Sequence, residues 1–185
     1  MEQPESLARA VVGLARRLLS IDDIVRDPSG HAPADLPEGV FLQANRPYTN
    51  TRLVRDLIAQ LSGDIYWLDR HLELRALDIV GSSVVEGRHK SITLIREGKP
   101  EERLVRQASS LREELGAKQV EFDFLFVSAR DSRIHDRWLL GSEGAWTLPP
   151  ASALGRAGEL KVSADPARAA VLVAELTAVA SSVFG

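Results

Sequence analysis

Along the middle of the chain, apolar residues recur at every second position in some segments and at helical spacing in the segments between them. Period-2 patterns predict strands at residues 64–69, 91–97 and 120–128, and helical spacing predicts helices at 72–80 and 100–116 between them. The second helix has Pro100 in its first turn and Gly116 as its expected C-cap. Its apolar face is formed by Leu104, Ala108, Leu111 and Leu115. This order of elements is typical of an α/β domain.

The same reasoning places further elements on both sides of this unit. A strand is predicted at 39–44, followed by a helix at 50–61 that Thr49 or Asn50 would cap. The remaining predictions are strands at 134–141, 145–149 and 158–162, and a closing helix at 165–184 with Asp165 as N-cap and Pro166 in its first turn. We therefore expect a mixed, mostly buried sheet with helices packed on both faces.

The first 36 residues form a separate unit in this scheme. Residues 6–19 predict an amphipathic helix, and residues 27–37 are rich in Pro, Gly and Asp, as expected of a linker. The chain is thus divided into an N-terminal helix with its linker (1–36) and an α/β domain (37–185). Two roles remain open for the helix, a dimer contact or a part of the core.

Composition narrows the class of protein. With 44% hydrophobic and 26% charged residues in a chain of 185, one domain with a real core is expected. The net charge of -3 argues against a generally basic nucleic-acid coat. The absence of cysteine excludes disulfides and thiolate metal sites and suits a reducing cytoplasm. No apolar run reaches the ~20 residues of a membrane-spanning helix, so a cytoplasmic protein without a transmembrane segment is expected.

Candidate chemistry is concentrated in the segment RIHDRWLLG, residues 133–141. Alternation along a strand places His135 and Arg137 on one face and Asp136 on the other. An imidazole and a guanidinium side by side can bind a phosphate, with the arginine as a bidentate contact. The alternative is the solvated end of an edge strand.

Residues 51–158 resemble a phospholipase D-like domain of the single-motif kind. The resemblance rests on the strand Ile65-Tyr-Trp-Leu-Asp69-Arg-His-Leu72 and on the His-Asp-Arg segment, which is similar to the family's His-x-Lys. His135 then matches the nucleophilic histidine and Arg137 replaces the lysine. Ser142 stands where the family has an aspartate, with Glu143 beside it, and Ser152 is a loose match to the Gly-Ser pair. The variant is also similar to the degenerate phospholipase D-like domains at the carboxy ends of MIT-domain proteins.

The resemblance implies a fold and a set of roles. In the family one histidine attacks the phosphorus of a diester and a second protonates the leaving oxygen, so a chain with one motif needs a homodimer to complete the site. Arg137 would neutralise phosphate oxygens, and Glu143 or Asp69 would replace the missing aspartate that orients His135. For Asp69, capping the following helix is an equally acceptable role.

Two classes of function follow. The first is a degenerate module that binds a phosphate-bearing ligand or a protein partner without turnover, which the departures from the motif favour. The second is a homodimeric phosphodiesterase or nuclease acting on nucleic acid or phospholipid. No cofactor is expected, because His31, His71 and His89 lack the spacing of metal ligands and are expected at the surface. The segment 81–90 is expected to be a solvated loop, and Trp67, Trp138 and Trp146 are expected in the core.

Overall fold

The protein forms one mixed sheet with helices on both of its faces. The computed structural model describes residues 39–130, 134, 137–154, 158–162 and 166–185, with the backbone alone for 39–41, 158–162 and 166. The strands are β1 (Gly39–Leu42), β2 (Gly63–Leu68), β3 (His89–Glu97), β4 (Glu121–Val127), β5 (Trp138–Gly141), β6 (Gly144–Thr147), β7 (Gly158–Val162) and β8 (Ser181–Ser182). The helices are α1 (Pro47–Gln60), α2 (Leu74–Gly81), α3 (Glu102–Ala117) and α4 (Pro166–Val179), with a 3₁₀ turn at Ala151–Ala153.

The described strands lie in the order β1-β7-β6-β5-β2-β3-β4-β8. Strands β2, β3 and β4 run parallel because helices α2 and α3 return the chain to the same end of the sheet, and every other neighbouring pair is antiparallel. The expected α/β class with a mixed sheet is confirmed.

Two apolar clusters lie on opposite faces of the sheet, as alternation along the strands requires. On one face Ile65, Trp67 and Leu94 pack with the apolar residues of α1, α2 and α3. On the other face Leu68 and Ile95 pack with α4. Helices on both faces are therefore confirmed, and the burial of Trp67, Trp138 and Trp146 is confirmed with them.

Several element boundaries differ from the predictions. Helix α1 begins at Pro47, so Asn50 is not its cap but a buried residue whose side chain binds Gln43 and Leu154. Helix α3 extends past Gly116, and Lys118 is its C-cap. Strand β5 begins only at Trp138. Helix α4 ends at Val179 because the chain then turns and pairs with β4 as strand β8. The prediction that this helix continues to residue 184 is therefore wrong.

Some predictions fall on residues that the structure does not describe. The N-terminal helix at 6–19 and the linker at 27–37 lie outside the described residues, as do Asp165, Asp136 and His135.

Candidate functional site

The candidate site lies at the carboxyl edge of the parallel strands, where β2 ends at Leu68. Functional groups in α/β sheets commonly lie at this edge. Tyr66 pairs with Leu140 and Leu68 with Trp138 in the antiparallel ladder between β2 and β5. One step beyond that last pair, Asp69 faces Arg137.

Asp69 and Arg137 form an ion pair across this edge. The Nε–H of Arg137 donates to Oδ1 of Asp69 at 3.1 Å. The Asp69 side chain has no exposed surface, and the Arg137 side chain is 28% exposed. Because a buried carboxylate is costly unless it is paired, the guanidinium of Arg137 offsets part of the cost of burying Asp69.

Backbone donors complete the surroundings of Asp69. Its Oδ1 accepts the N–H of His71 at 2.9 Å, and its Oδ2 faces the N–H of Ala151 at 3.4 Å. The first contact is the short-range turn that aspartate forms two residues onward, so Asp69 organises the loop after β2. It does not cap α2, which begins at Leu74 with Glu73 as its N-cap and no side-chain cap.

Arg137 is held through its backbone as well. Its carbonyl accepts the N–H of Leu148 at 3.0 Å, which continues the ladder between β5 and β6 by one step. Among the described residues its guanidinium has no hydrogen bond other than the one from Nε. The two terminal nitrogens of a guanidinium are the pair that binds two oxygens of a phosphate or carboxylate at once. Asp69 thus orients Arg137 through Nε and does not use the two terminal nitrogens that would bind such a ligand.

Arg96 lies on the other side of Asp69, at the end of β3. The N–H of Asp69 donates to Ile95 O at 3.1 Å, which continues the parallel ladder in which Leu68 pairs with Ile95. Arg96 donates from Nη1 to Leu72 O at 3.1 Å and from Nε to Glu97 O at 3.2 Å. Burial lowers the pKa of Arg96, while the carboxylates of Glu73, Glu101 and, least of the three, Asp69 raise it. Asp69 therefore has Arg137 as its ion-pair partner, whereas Arg96 interacts mainly with the carboxylates of Glu73 and Glu101.

Sequence reasoning did not identify Arg96. The available signal was its position directly after the mainly apolar segment Ile92–Ile95, which is similar to the position of Asp69 after the apolar residues of β2. Parallel strands bring such residues to the same edge.

The structure separates Ser142 and Glu143 from this edge. Both follow β5 at the amino edge of the parallel strands, where Glu143 accepts the backbone N–H of Ser62 at 3.1 Å and its Oγ–H at 2.5 Å. The Oγ of Ser142 lies 2.9 Å from that of Ser62. Ser62 and Asp69 lie at opposite ends of β2, which at the rise per residue of a strand puts them roughly 20 Å apart. Glu143 therefore lies too far from Arg137 to share a pocket with it.

The other predicted site residues divide as follows. Ser152 is exposed in the 3₁₀ turn, directly after the residue whose N–H faces Asp69, so it lies near the candidate site. His135 is outside the described residues, and its predicted position beside Arg137 stays a prediction. His71 is exposed as expected, whereas His89 is 3% exposed and the expectation of a surface position is wrong for it.

A separate groove of about 710 Å³ opens at the amino end of β3 and β4, where residues of α3 also line it. Its walls include Asp64, Tyr66, Thr93 and Asp123, which alternate along the strands with residues of the first core cluster. Neither Asp69 nor Arg137 lines it.

Within the described part of the chain, no group of three or more His, Asp or Glu side chains is arranged to hold a metal ion. No described helix has the length and apolar character needed to cross a membrane.

Comparisons with known proteins add little to this geometry. No protein-family model and no curated protein matches the sequence. The fold is similar to a solved structure of TrmBL2, an archaeal chromatin protein whose structure is described as showing a novel mode of DNA binding, with a TM-score of 0.45 and 12% sequence identity. The match covers 92% of this chain and 59% of the TrmBL2 chain, so this protein spans less than two thirds of that neighbour. A likeness of this degree assigns neither a family nor a function.

Proposed function

We propose that the chain is a degenerate phospholipase D-like module that binds a phosphate-bearing ligand at the carboxyl edge of β2 and β3 without turning it over. Arg137 contacts the phosphate, and Asp69 positions Arg137. The observation that carries the proposal is the bond from Arg137 Nε to the fully buried Asp69, which orients the guanidinium and leaves its terminal nitrogens without a partner among the described residues. Ser152 is the nearest predicted residue able to add a hydroxyl contact.

A binding role without turnover also agrees with the departures from the motif, because Glu143, one candidate for orienting His135, is held by Ser62 at the far edge.

Binding can be tested by titrating the full chain with inorganic phosphate and with bis-p-nitrophenyl phosphate, a diester. We expect saturable binding of at least one of them, and a loss of about tenfold or more in Arg137→Ala, the size expected for a hydrogen-bonded charge. Arg137→Lys keeps the charge for Asp69 but lacks the two-pronged donor, so it is expected to lose affinity while staying folded.

The matched control is Arg106→Ala, which removes the same charge from an exposed position on α3, where Arg106 pairs with Glu102. Its affinity should stay within about twofold of the wild type, because exposed pairs and distant charges contribute little. Equal binding by the Arg137 and Arg106 variants, or no saturable binding by the wild type, would overturn the proposal.

The diester also separates binding from catalysis. We expect the wild type and His135→Ala to release nitrophenol at the same background rate. If the wild type releases nitrophenol faster than His135→Ala does, the chain is the phosphodiesterase and not a binding module without turnover. That enzyme requires a homodimer with two copies of His135, which light scattering of the full chain would detect. A cytoplasmic location, which a chain without cysteine suits, is part of the proposal.

A further inference from the structure

His89, the first residue of β3, has hydrogen-bond partners on both nitrogens of its buried ring. Its Nδ1 lies 3.1 Å from the backbone N of Val85. Its Nε2 lies 3.0 Å from Ile58 O and 3.0 Å from Leu61 O, at the end of α1. The imidazole therefore joins the segment after α2 to the end of α1.

The identity of these partners determines which nitrogen carries the proton. A backbone N–H can only donate, so Nδ1 accepts from Val85 with its lone pair. Carbonyl oxygens can only accept, so Nε2 bears the hydrogen that Ile58 and Leu61 share. The neutral ring with its proton on Nε2 satisfies every partner, whereas a second proton on Nδ1 would point at the N–H of Val85.

The segment that His89 holds is also attached at both of its ends. Residues 82–88 connect α2 to β3. Ser82, Ser83 and Val84 are hydrogen-bonded to the end of α2, and Val85 O accepts the N–H of Arg88 at 3.2 Å. Outside the segment, Arg88 O accepts the N–H of Gly63 at 3.0 Å, and Arg88 Nη1 donates to Ala59 O at 3.1 Å from an exposed position. The bond from Val85 to Nδ1 is thus the side-chain bond that holds the centre of the segment.

The groups around the ring shift the pKa of His89 in opposite directions. Burial lowers the pKa of His89 below its ordinary 6.5, and Arg88 lowers it further. The carbonyls of Ile58 and Leu61 raise it, as does Glu143 from the turn between β5 and β6. The net lowering keeps the ring neutral at neutral pH, which is the state that its partners require.

We propose that His89 is a proton-operated latch, in which uptake of a solvent proton at Nδ1 breaks the hydrogen bond from Val85 and releases the turn at residues 85–88 from the ring. No covalent bond changes. The released segment carries Val85, already 42% exposed, and the charged residues Glu86 and Arg88. The latch lies at the opposite edge of the sheet from Arg137, so it stands independently of the proposed function.

Nuclear magnetic resonance of the ¹⁵N-labelled full chain tests the latch directly. At neutral pH the ring of His89 should show the pattern of a proton on Nε2 alone. On acidification His89 should titrate below its ordinary value. Because one proton is taken up, hydrogen-exchange protection of the Val85 amide should fall by up to about tenfold per pH unit between the ordinary value of 6.5 and the lowered midpoint, and should level off below that midpoint. The amide of Ile92, in the ladder of β2 with β3, should stay protected over the same range.

Two variants complete the test. His89→Gln keeps a donor toward the α1 carbonyls but has no group that titrates in this range, so the pH step at Val85 should disappear. His71→Gln removes an exposed histidine and should leave the step unchanged. The latch is excluded if His89 titrates at or above its ordinary value, if Val85 and Ile92 lose protection together, if the step survives in His89→Gln, or if it vanishes in His71→Gln.

Discussion

Asp69 and Arg137 face each other one step beyond the last pair of the ladder between β2 and β5, with Oδ1 3.1 Å from Nε. They are 68 positions apart in the chain. Asp69 directly follows β2, and Arg137 directly precedes β5. The ion pair therefore links two halves of the sheet at the edge where the candidate site lies.

The first prediction concerns the strength of this pair. Arg137→Ala should lower the free energy of unfolding by about 3 kcal/mol, because it leaves the Asp69 charge buried without its partner. In an Asp69→Asn background the same change should cost about 1 kcal/mol or less, since no charge is left uncompensated. Urea unfolding of the four proteins of this cycle measures the difference. Equal costs in both backgrounds would show that the pair does not contribute as a pair.

Asn50 provides a second prediction. Its Nδ2 donates to Gln43 O at 2.8 Å and to Leu154 O at 2.6 Å, and its Oδ1 accepts the N–H of Gln43 at 3.1 Å. Asn50→Ala would leave these backbone groups without partners and should cost about 2–3 kcal/mol of unfolding free energy. Asp56→Ala, at an exposed position on the same helix, should cost less than about 1 kcal/mol. Similar midpoints of thermal unfolding for the two variants would contradict this role of Asn50.

Two glycines give opposite expectations for the same substitution. Gly63 has a φ of +69° at a register shift where β2 begins, so Gly63→Ala should destabilise by about 1–2 kcal/mol. Gly116 lies inside the last turn of α3 with open space around it, and Gly116→Ala should stabilise by about 0.5–1 kcal/mol. Chemical denaturation of both variants checks the signs. A stabilised Gly63 variant would mean that the backbone there does not need a positive φ.

The pH dependence of stability tests His89 through the whole fold. Its pKa is lowered in the folded chain, so the unfolded chain binds more protons at acidic pH. The contribution of neutral His89 is complete above the ordinary value of 6.5 and is lost as the pH falls from there through the lowered value. Urea midpoints should therefore decline over this window more steeply in the wild type than in His89→Gln. Parallel curves for the two proteins would show that His89 adds no pH dependence.

The sequence by itself determined the order and type of most elements. Apolar periodicity is a local property, and it was enough to predict β2, α2, β3, α3 and β4 and the buried face of α3. Boundaries were less certain, because a strand or helix ends where its partners end. Strand β5 begins at Trp138 although the apolar pattern starts earlier, and α4 stops at Val179 because β8 pairs with β4.

Only the tertiary structure decided which polar residues meet. Strand order places Arg96 and Arg137 on either side of Asp69, and it carries Glu143 to the other edge although Glu143 is six positions from Arg137 in the chain. An extended strand moves neighbouring residues apart by about 3.3 Å for each position, whereas pairing brings distant segments within 5 Å. Sequence distance is therefore a poor guide to a shared site. The same long-range packing buried His89, whose partners on α1 no local pattern could indicate.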